Sequence, residues 1–198
     1  MDKYVKSAKE GLKESVSYFG NKNKQEREIW VLKEFLRYLP LDYKDSNVKG
    51  SDAEPSDVFY KNVGFQIKEI QSEDRKRGKE YKDRLKSINE ETKLEDLLEP
   101  YSHIHIQLSE VLQIVGNELR RHRNQKYRVL AKKINVLVYL NLSDTTYTDA
   151  SVDTSLIDCE LGNWQSVSVV TNNCATVLAC NDDHKLLKPL VKKLYFMK

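Results

Sequence analysis

Apolar side chains recur at helical spacing near the start of the chain, at Tyr4, Val5, Ala8, Leu12, Val16 and Phe19, and predict an amphipathic helix over residues 2–19. Asn21 and Asn23 break the pattern and can cap a second helix over 24–38, KQEREIWVLKEFLRY, which ends before Pro40. The polar stretch DYKDSNVKGSDAEPS (42–56) reads as a loop, and the alternating text after it as a hairpin turning over Asn62–Val63. Charged helical text follows over 72–99, broken near Asn89 and Thr92, and a further helix is expected over 107–123. INVLVYLNL (134–142) is a short, nearly continuous apolar run, the pattern of a strand buried on both faces. A Ser, Asp and Thr loop (143–155) leads to WQSVSVVTNNCATVLAC (164–180), two strands about Asn172–Asn173, where asparagine tolerates a positive φ. DDHKLLKPLVKKLYFM (182–197) predicts a terminal helix interrupted or started by Pro189.

These elements describe an α/β (α+β) fold, a mixed central sheet flanked by helices. The expected layout is an appended N-terminal helix over 1–22 and a single domain over 23–198. With 32% charged and 39% hydrophobic residues, seven glycines and four prolines, the composition is that of a soluble globule. No apolar run approaches the roughly 18 to 20 residues of a membrane span. The first residues, MDKYVKSAKEGLKESVSYF, have no apolar core of a secretory leader. Cys159, Cys174 and Cys180 are odd in number and lack CxxC spacing, which argues against a disulfide framework or a zinc knuckle. A cytoplasmic protein is the expectation, without membrane association. The phosphate-binding loops GxxxxGK[ST] and GxGxxG are missing.

Net charge is only +3, but residues 120–133, RRHRNQKYRVLAKK, hold seven Lys or Arg and no acid, leaving −4 for the rest. A second run, DRKRGKEYKDRLK (74–86), holds seven basic residues against three acids. Both suit solvated helix faces or phosphate contacts. His122 belongs with the first run. His103 and His105 in SHIHI have the spacing of one strand face but no visible further zinc ligands. Trp30 and Trp164 read as packing residues.

The hairpin carries the chemistry. A turn over Asn62–Val63 pairs Asp57 with Lys68 and Phe59 with Gln66, so strand alternation puts Asp57, Gln66 and Lys68 on one face. Glu28 shares the helical stripe of Leu32, Phe35 and Leu36 and is aimed toward the core side. Two acids, an amide oxygen and an ammonium suit metal-assisted phosphodiester hydrolysis, because Mg²⁺ takes hard oxygen ligands and keeps several waters. The lysine can orient water or neutralise developing charge.

EPSDV followed by GFQIKE, after a glutamate-bearing helix, resembles the PD-(D/E)XK nuclease superfamily. More narrowly, EREIWVLKEFL, EPSDVFYKNVGFQIKEI, LEDLLEPY, INVLVYLNL and WQSVSVV look, in order, like a family of uncharacterised bacterial proteins described as endonucleases. The resemblance implies a restriction-endonuclease-like core running helix, hairpin or three-strand meander, helix, strand. It also implies a motif aspartate at Asp57, the acid position at Gln66, the lysine at Lys68 and the helix glutamate at Glu28. Mg²⁺ or Mn²⁺ would sit at Asp57, Glu28, the Gln66 side-chain oxygen and the Ile67 carbonyl. Arg75, Lys76, Arg77, Lys79, Arg120, Arg121, Arg123, Lys126 and Arg128 would contact phosphates, of DNA in preference to RNA, in a chain compatible with a homodimer. Gln66 departs from the expected acid and lowers the site's negative charge, and Glu69 points to the other face. A nuclease-like domain that binds nucleic acid or a protein partner without catalysis is therefore the alternative expectation, and a cross-strand Asp57–Lys68 ion pair in a structural or oligomerising protein the third.

Overall fold

The structure, a computed structural model, describes residues 3–52, 54–71, 77–97, 104–122, 134–142, 145–147 and 164–196. It divides into two compact units, Met1–Lys24 with Ser72–Ser102, and Gln25–Gln71 with His103–Lys198.

The first unit holds α1 (Lys3–Tyr18) and α3 (Arg77–Ser87). The Phe19 and Tyr81 rings stack with centroids 5.3 Å apart, and Val5 and Ile88 are buried. Tyr4, expected on the apolar stripe of α1, is instead 67% exposed. The break expected near Asn89 and Thr92 is a turn in which Thr92 Oγ1 accepts from Asn89 N–H and Asn89 Oδ1 from Glu91 N–H.

The second unit is built on a seven-stranded mixed sheet in the order β1-β2-β3-β5-β7-β8-β9, with β1 Val48–Gly50, β2 Val58–Tyr60, β3 Val63–Gln71, β5 Asn135–Asn141, β7 Ser166–Val170, β8 Cys174–Cys180 and β9 Leu194–Phe196. The three central strands β3, β5 and β7 run parallel, and the pairings on either side are antiparallel. A separate parallel pair joins β4 (Ile104–Ile106) to β6 (Thr145–Tyr147).

One face is covered by α2 (Lys24–Tyr38), whose Val31, Leu32, Phe35 and Leu36 pack with Val58, Tyr60, Phe65, Leu137 and Val170. The other face meets α4 (Leu108–His122) through Val111, Val115 and Leu119 against Val136, Val138, Leu140, Val167 and Val169. Leu137 points one way and Val136 and Val138 the other, which is why β5 reads as an unbroken apolar run. Burial on both sides is what makes this strand the centre of the sheet.

Four expectations change. The segment 42–56 is not all loop: Val48, Lys49 and Gly50 pair with β2 and complete a three-stranded meander. The 143–155 loop contains β6. The terminal segment is not an α-helix: a short 3-10 turn over Lys188–Leu190 precedes β9, which pairs with β8. His184 Nδ1 accepts from Leu187 N–H, and Pro189 has no N–H to give, so a continuous helical ladder cannot form. At the β7–β8 turn the held group is Thr171 Oγ1, which accepts from the N–H groups of Asn173 and Cys174. Among described non-glycine residues positive φ occurs at Lys61 and Lys192, not at Asn172 or Asn173.

Candidate active site

β2 and β3 turn over Lys61–Asn62, with Lys61 at φ 53°, and pair Val58 with Phe65, Phe59 with Gly64 and Tyr60 with Val63. Val63 stays in the strand because a β-branched side chain suits a pleat better than a turn, and it packs on the core. Relative to the expected turn, the register on β3 moves by two residues. A two-residue shift preserves which face each side chain takes. The pairing stops at Val58–Phe65, and beyond it Asp57 N–H bonds Phe65 O, one residue out of that register.

Asp57 lies just before β2. Its N–H donates to Phe65 O and its own carbonyl accepts from Ser51 N–H, both at 2.9 Å. Its carboxylate Oδ2 accepts from Ile67 N–H at 2.8 Å. β2 has ended there, so the side chain takes over the ladder bond that the strand would have supplied. Gly64 permits the approach, since a Cβ at that position would overlap the Ser56 side chain.

On β3, Gln66, Lys68 and Ile70 stand opposite Val136, Val138 and Leu140 and share the α4 face with them. Gln66 is 6% exposed, and its Oε1 is buried and accepts no hydrogen bond from any described residue. Leaving such an oxygen unpaired costs about 1–3 kcal/mol. Ser168 Oγ and Thr176 Oγ1 are also unpaired, but they stand across from Val177 and Val169. Gln66 precedes Ile67, whose N–H holds the Asp57 carboxylate. Lys68 is half-buried, and among the described residues it forms no ion pair, so the expected Asp57–Lys68 pair is not made.

Gln66 and Lys68 share one face of β3, and Asp57 reaches that strand through its bond to Ile67 N–H. Glu28 is half-buried in the second turn of α2, on the helix that covers the opposite face. Ile67 packs its side chain toward α2, while its backbone faces Asp57. Glu69 also lies on the α2 face and accepts from Asn141 Nδ2 at 2.6 Å. Among the described residues no group of three or more His, Cys, Asp or Glu could hold a metal ion.

Of the basic residues, Lys79 is exposed on α3 and Arg77 is its first residue. Arg120 and Arg121 end α4 with His122. Arg75, Lys76, Arg123, Lys126 and Arg128 lie outside the described residues, as do His103 and Cys159; His105 is in β4. Cys174 and Cys180 are buried and free. Burial raises the Cys174 thiol pKa and pushes that of Cys180 up to about 11, which keeps both protonated at neutral pH.

A second polar cluster was not visible in the sequence. Asn135 Nδ2 donates to Gly64 O at 2.9 Å, and Asn135 Oδ1 accepts from Ser166 Oγ at 2.7 Å and faces His184 Nε2 at 2.9 Å. The polar Asn135 opening an otherwise apolar strand was the signal available. Trp30, read as packing, is 42% exposed.

The fold is thus a mixed α/β sheet with Gln66 and Lys68 on β3 and Asp57 bonded to the same strand. A family described as "Putative endonuclease, protein of unknown function (DUF1780)" matches residues 2–198, and the chain belongs to it. A solved structure of a protein of unknown function from Pseudomonas aeruginosa strain PAO1, of the monooxygenase superfamily, is similar with TM-score 0.62 and 18% identity, covering 100% of this chain and 97% of that one. At that identity the likeness concerns the fold alone. No curated protein matches. No helix among the described residues is long and apolar enough to cross a membrane.

Proposed function

We propose that the chain is a metal-dependent nuclease of restriction-endonuclease-like fold that hydrolyses phosphodiester bonds of nucleic acid, DNA in preference to RNA. The observation that carries this reading is the buried, unpaired Gln66 Oε1, one residue before Ile67, whose N–H holds the Asp57 carboxylate. A buried acceptor without a donor is a group for which a cation supplies the missing partner. The order α2, three-stranded meander, α4 and a strand parallel to β3 supports the same reading.

The donors suit a hard cation. Asp57, Gln66 Oε1 and the Ile67 carbonyl are oxygens, while Glu28 sits on α2, which covers the face opposite Gln66. Such a set, short of acids, fits Mg²⁺ or Mn²⁺ that retains waters and takes further oxygens from phosphate. The ion would polarise the phosphate and acidify a water. Ile67 N–H fixes the orientation of Asp57. Lys68, without an ion pair among the described residues, presents its ammonium to charge that develops on the phosphate. The basic run from Arg120 would hold the polyanion, with an affinity that falls as salt rises. The monooxygenase designation belongs to the structural neighbour and brings no activity to this chain.

The test is hydrolysis of a panel of DNA and RNA forms with Mg²⁺ or Mn²⁺ by wild type, Asp57→Ala and Lys68→Ala. Each variant is expected to lose about 100-fold or more in rate. An unchanged rate in Asp57→Ala removes the proposal. A wild type that neither cleaves nor binds metal indicates a nuclease-like domain used for binding.

A further inference from the structure

Trp30 and Tyr139 form an aromatic pair close to the hairpin. Trp30 is 42% exposed and meets the Tyr139 ring edge-on, with centroids 5.5 Å apart and planes at 77°. A single exposed apolar side chain needs no functional account. Two rings held against each other by two different rigid elements, a helix and the central strand, are a different case.

Their position gives the pair its meaning. Tyr139 stands opposite Glu69 in the parallel ladder, one residue beyond the Lys68–Val138 pair. With strands about 4.8 Å apart and a rise of about 3.3 Å per residue, the Tyr139 backbone is within about 6 Å of that of Lys68. Tyr139 takes the α2 face and Lys68 the α4 face. Both lie toward the C-terminal ends of β3 and β5, where open α/β sheets receive ligands. A polynucleotide drawn round those ends passes from Lys68 to the aromatic pair.

The charge around the pair favours a base over a phosphate. On α2, Glu26 and Glu34 lie four residues either side of Trp30, and Arg27 and Lys33 lie three residues either side, so the charges cancel. Lys33 already bonds Asp45 at 2.9 Å, and Glu34 bonds Arg37 at 2.5 Å. Glu69 is held by Asn141. What the surface offers is aromatic ring, which recognises the π-face common to all nucleobases.

We infer that Trp30 and Tyr139 form a stacking platform for an unpaired nucleobase, so that the substrate is single-stranded or carries unstacked bases beside the scissile bond. The inference rests on the nuclease reading. Its test therefore measures binding without hydrolysis, in chelator and without metal. The chain has two tryptophans, and in a Trp164→Phe background the fluorescence reports Trp30 alone. The probes are a short oligothymidylate and an abasic sugar-phosphate oligomer of the same length and charge.

Quenching by the oligothymidylate and not by the abasic oligomer is expected. Trp30→Ala should weaken oligothymidylate binding about 5- to 100-fold, read by anisotropy of a labelled probe, and Trp30→Phe should retain most of it. Equal quenching by the abasic oligomer, or binding by Trp30→Ala equal to wild type, overturns the platform. If Asp57→Ala abolishes cleavage while Trp30→Ala binds normally, the nuclease reading stands and the platform falls. If Trp30→Ala loses binding while Asp57→Ala cleaves at the wild-type rate, the platform stands and the proposed catalytic site falls. Circular dichroism of Trp30→Phe and Trp30→Ala keeps a folding defect from imitating lost stacking.

Discussion

Two polar clusters are buried in the same sheet, and they are completed differently. Where the parallel strands begin, Asn135, Ser166 and His184 satisfy one another. His184 Nδ1 accepts from Leu187 N–H, so its proton is on Nε2 and is given to Asn135 Oδ1, which also takes the Ser166 hydroxyl. Asn135 Nδ2 closes the set on Gly64 O. Burial holds His184 below the ordinary histidine value, and the neutral ring suits every bond it makes. By contrast, at the hairpin the Asp57 carboxylate is anchored by Ile67 N–H, yet Gln66 Oε1 has no donor among the described residues. A fully satisfied network specifies a fold, and an unsatisfied one keeps a capacity to bind.

The contrast is broken most strongly at Asn135. Asn135→Ala strands Gly64 O, the Ser166 hydroxyl and the His184 Nε2–H at once, and should destabilise the protein by about 3 kcal/mol, measured by urea denaturation. A loss below about 1 kcal/mol would mean that the network is not the structural tie described.

A smaller effect sharpens it through pH. The folded-state pKa of His184 lies below the unfolded value of 6.5, so the unfolded chain takes up the proton first. Stability from the neutral ring is complete above 6.5 and is lost as pH falls through it toward the lowered folded value. The melting temperature of wild type should drop over that window, and the drop should be shallower in His184→Gln. Parallel curves for the two proteins would contradict this role.

The sequence carried the first of these regions less well than the second. Periodicity located α2 and β5, because a helix on a core and a strand between two layers leave clear apolar patterns. It missed β1, three residues long with a lysine and a glycine, and β9, whose residues follow helix-like text cut by Pro189. Such edge strands exist through their partners rather than their own propensity. At the hairpin, alternation put Gln66 and Lys68 on one face even though the turn was misplaced, since a two-residue slip does not change parity, whereas Asp57 lies before β2 and bonds the β3 backbone. The Asp57 bond to Ile67 N–H, in place of a pair with Lys68, depends on the backbone path before β2, which the sequence does not reveal. The Asn135 network joins residues far apart in the chain, and nothing local in the sequence announces it.

Gln66→Leu, followed by thermal melting with and without Mn²⁺, tests the central claim most directly. Removing an unpaired buried oxygen should leave the metal-free protein as stable as wild type or up to about 1 kcal/mol more stable, while Mn²⁺ raises the melting temperature of wild type and not of the variant. A variant as damaged as Asn135→Ala, with the same response to Mn²⁺ as wild type, would show that Gln66 belongs to the scaffold and that the hairpin is not a metal site.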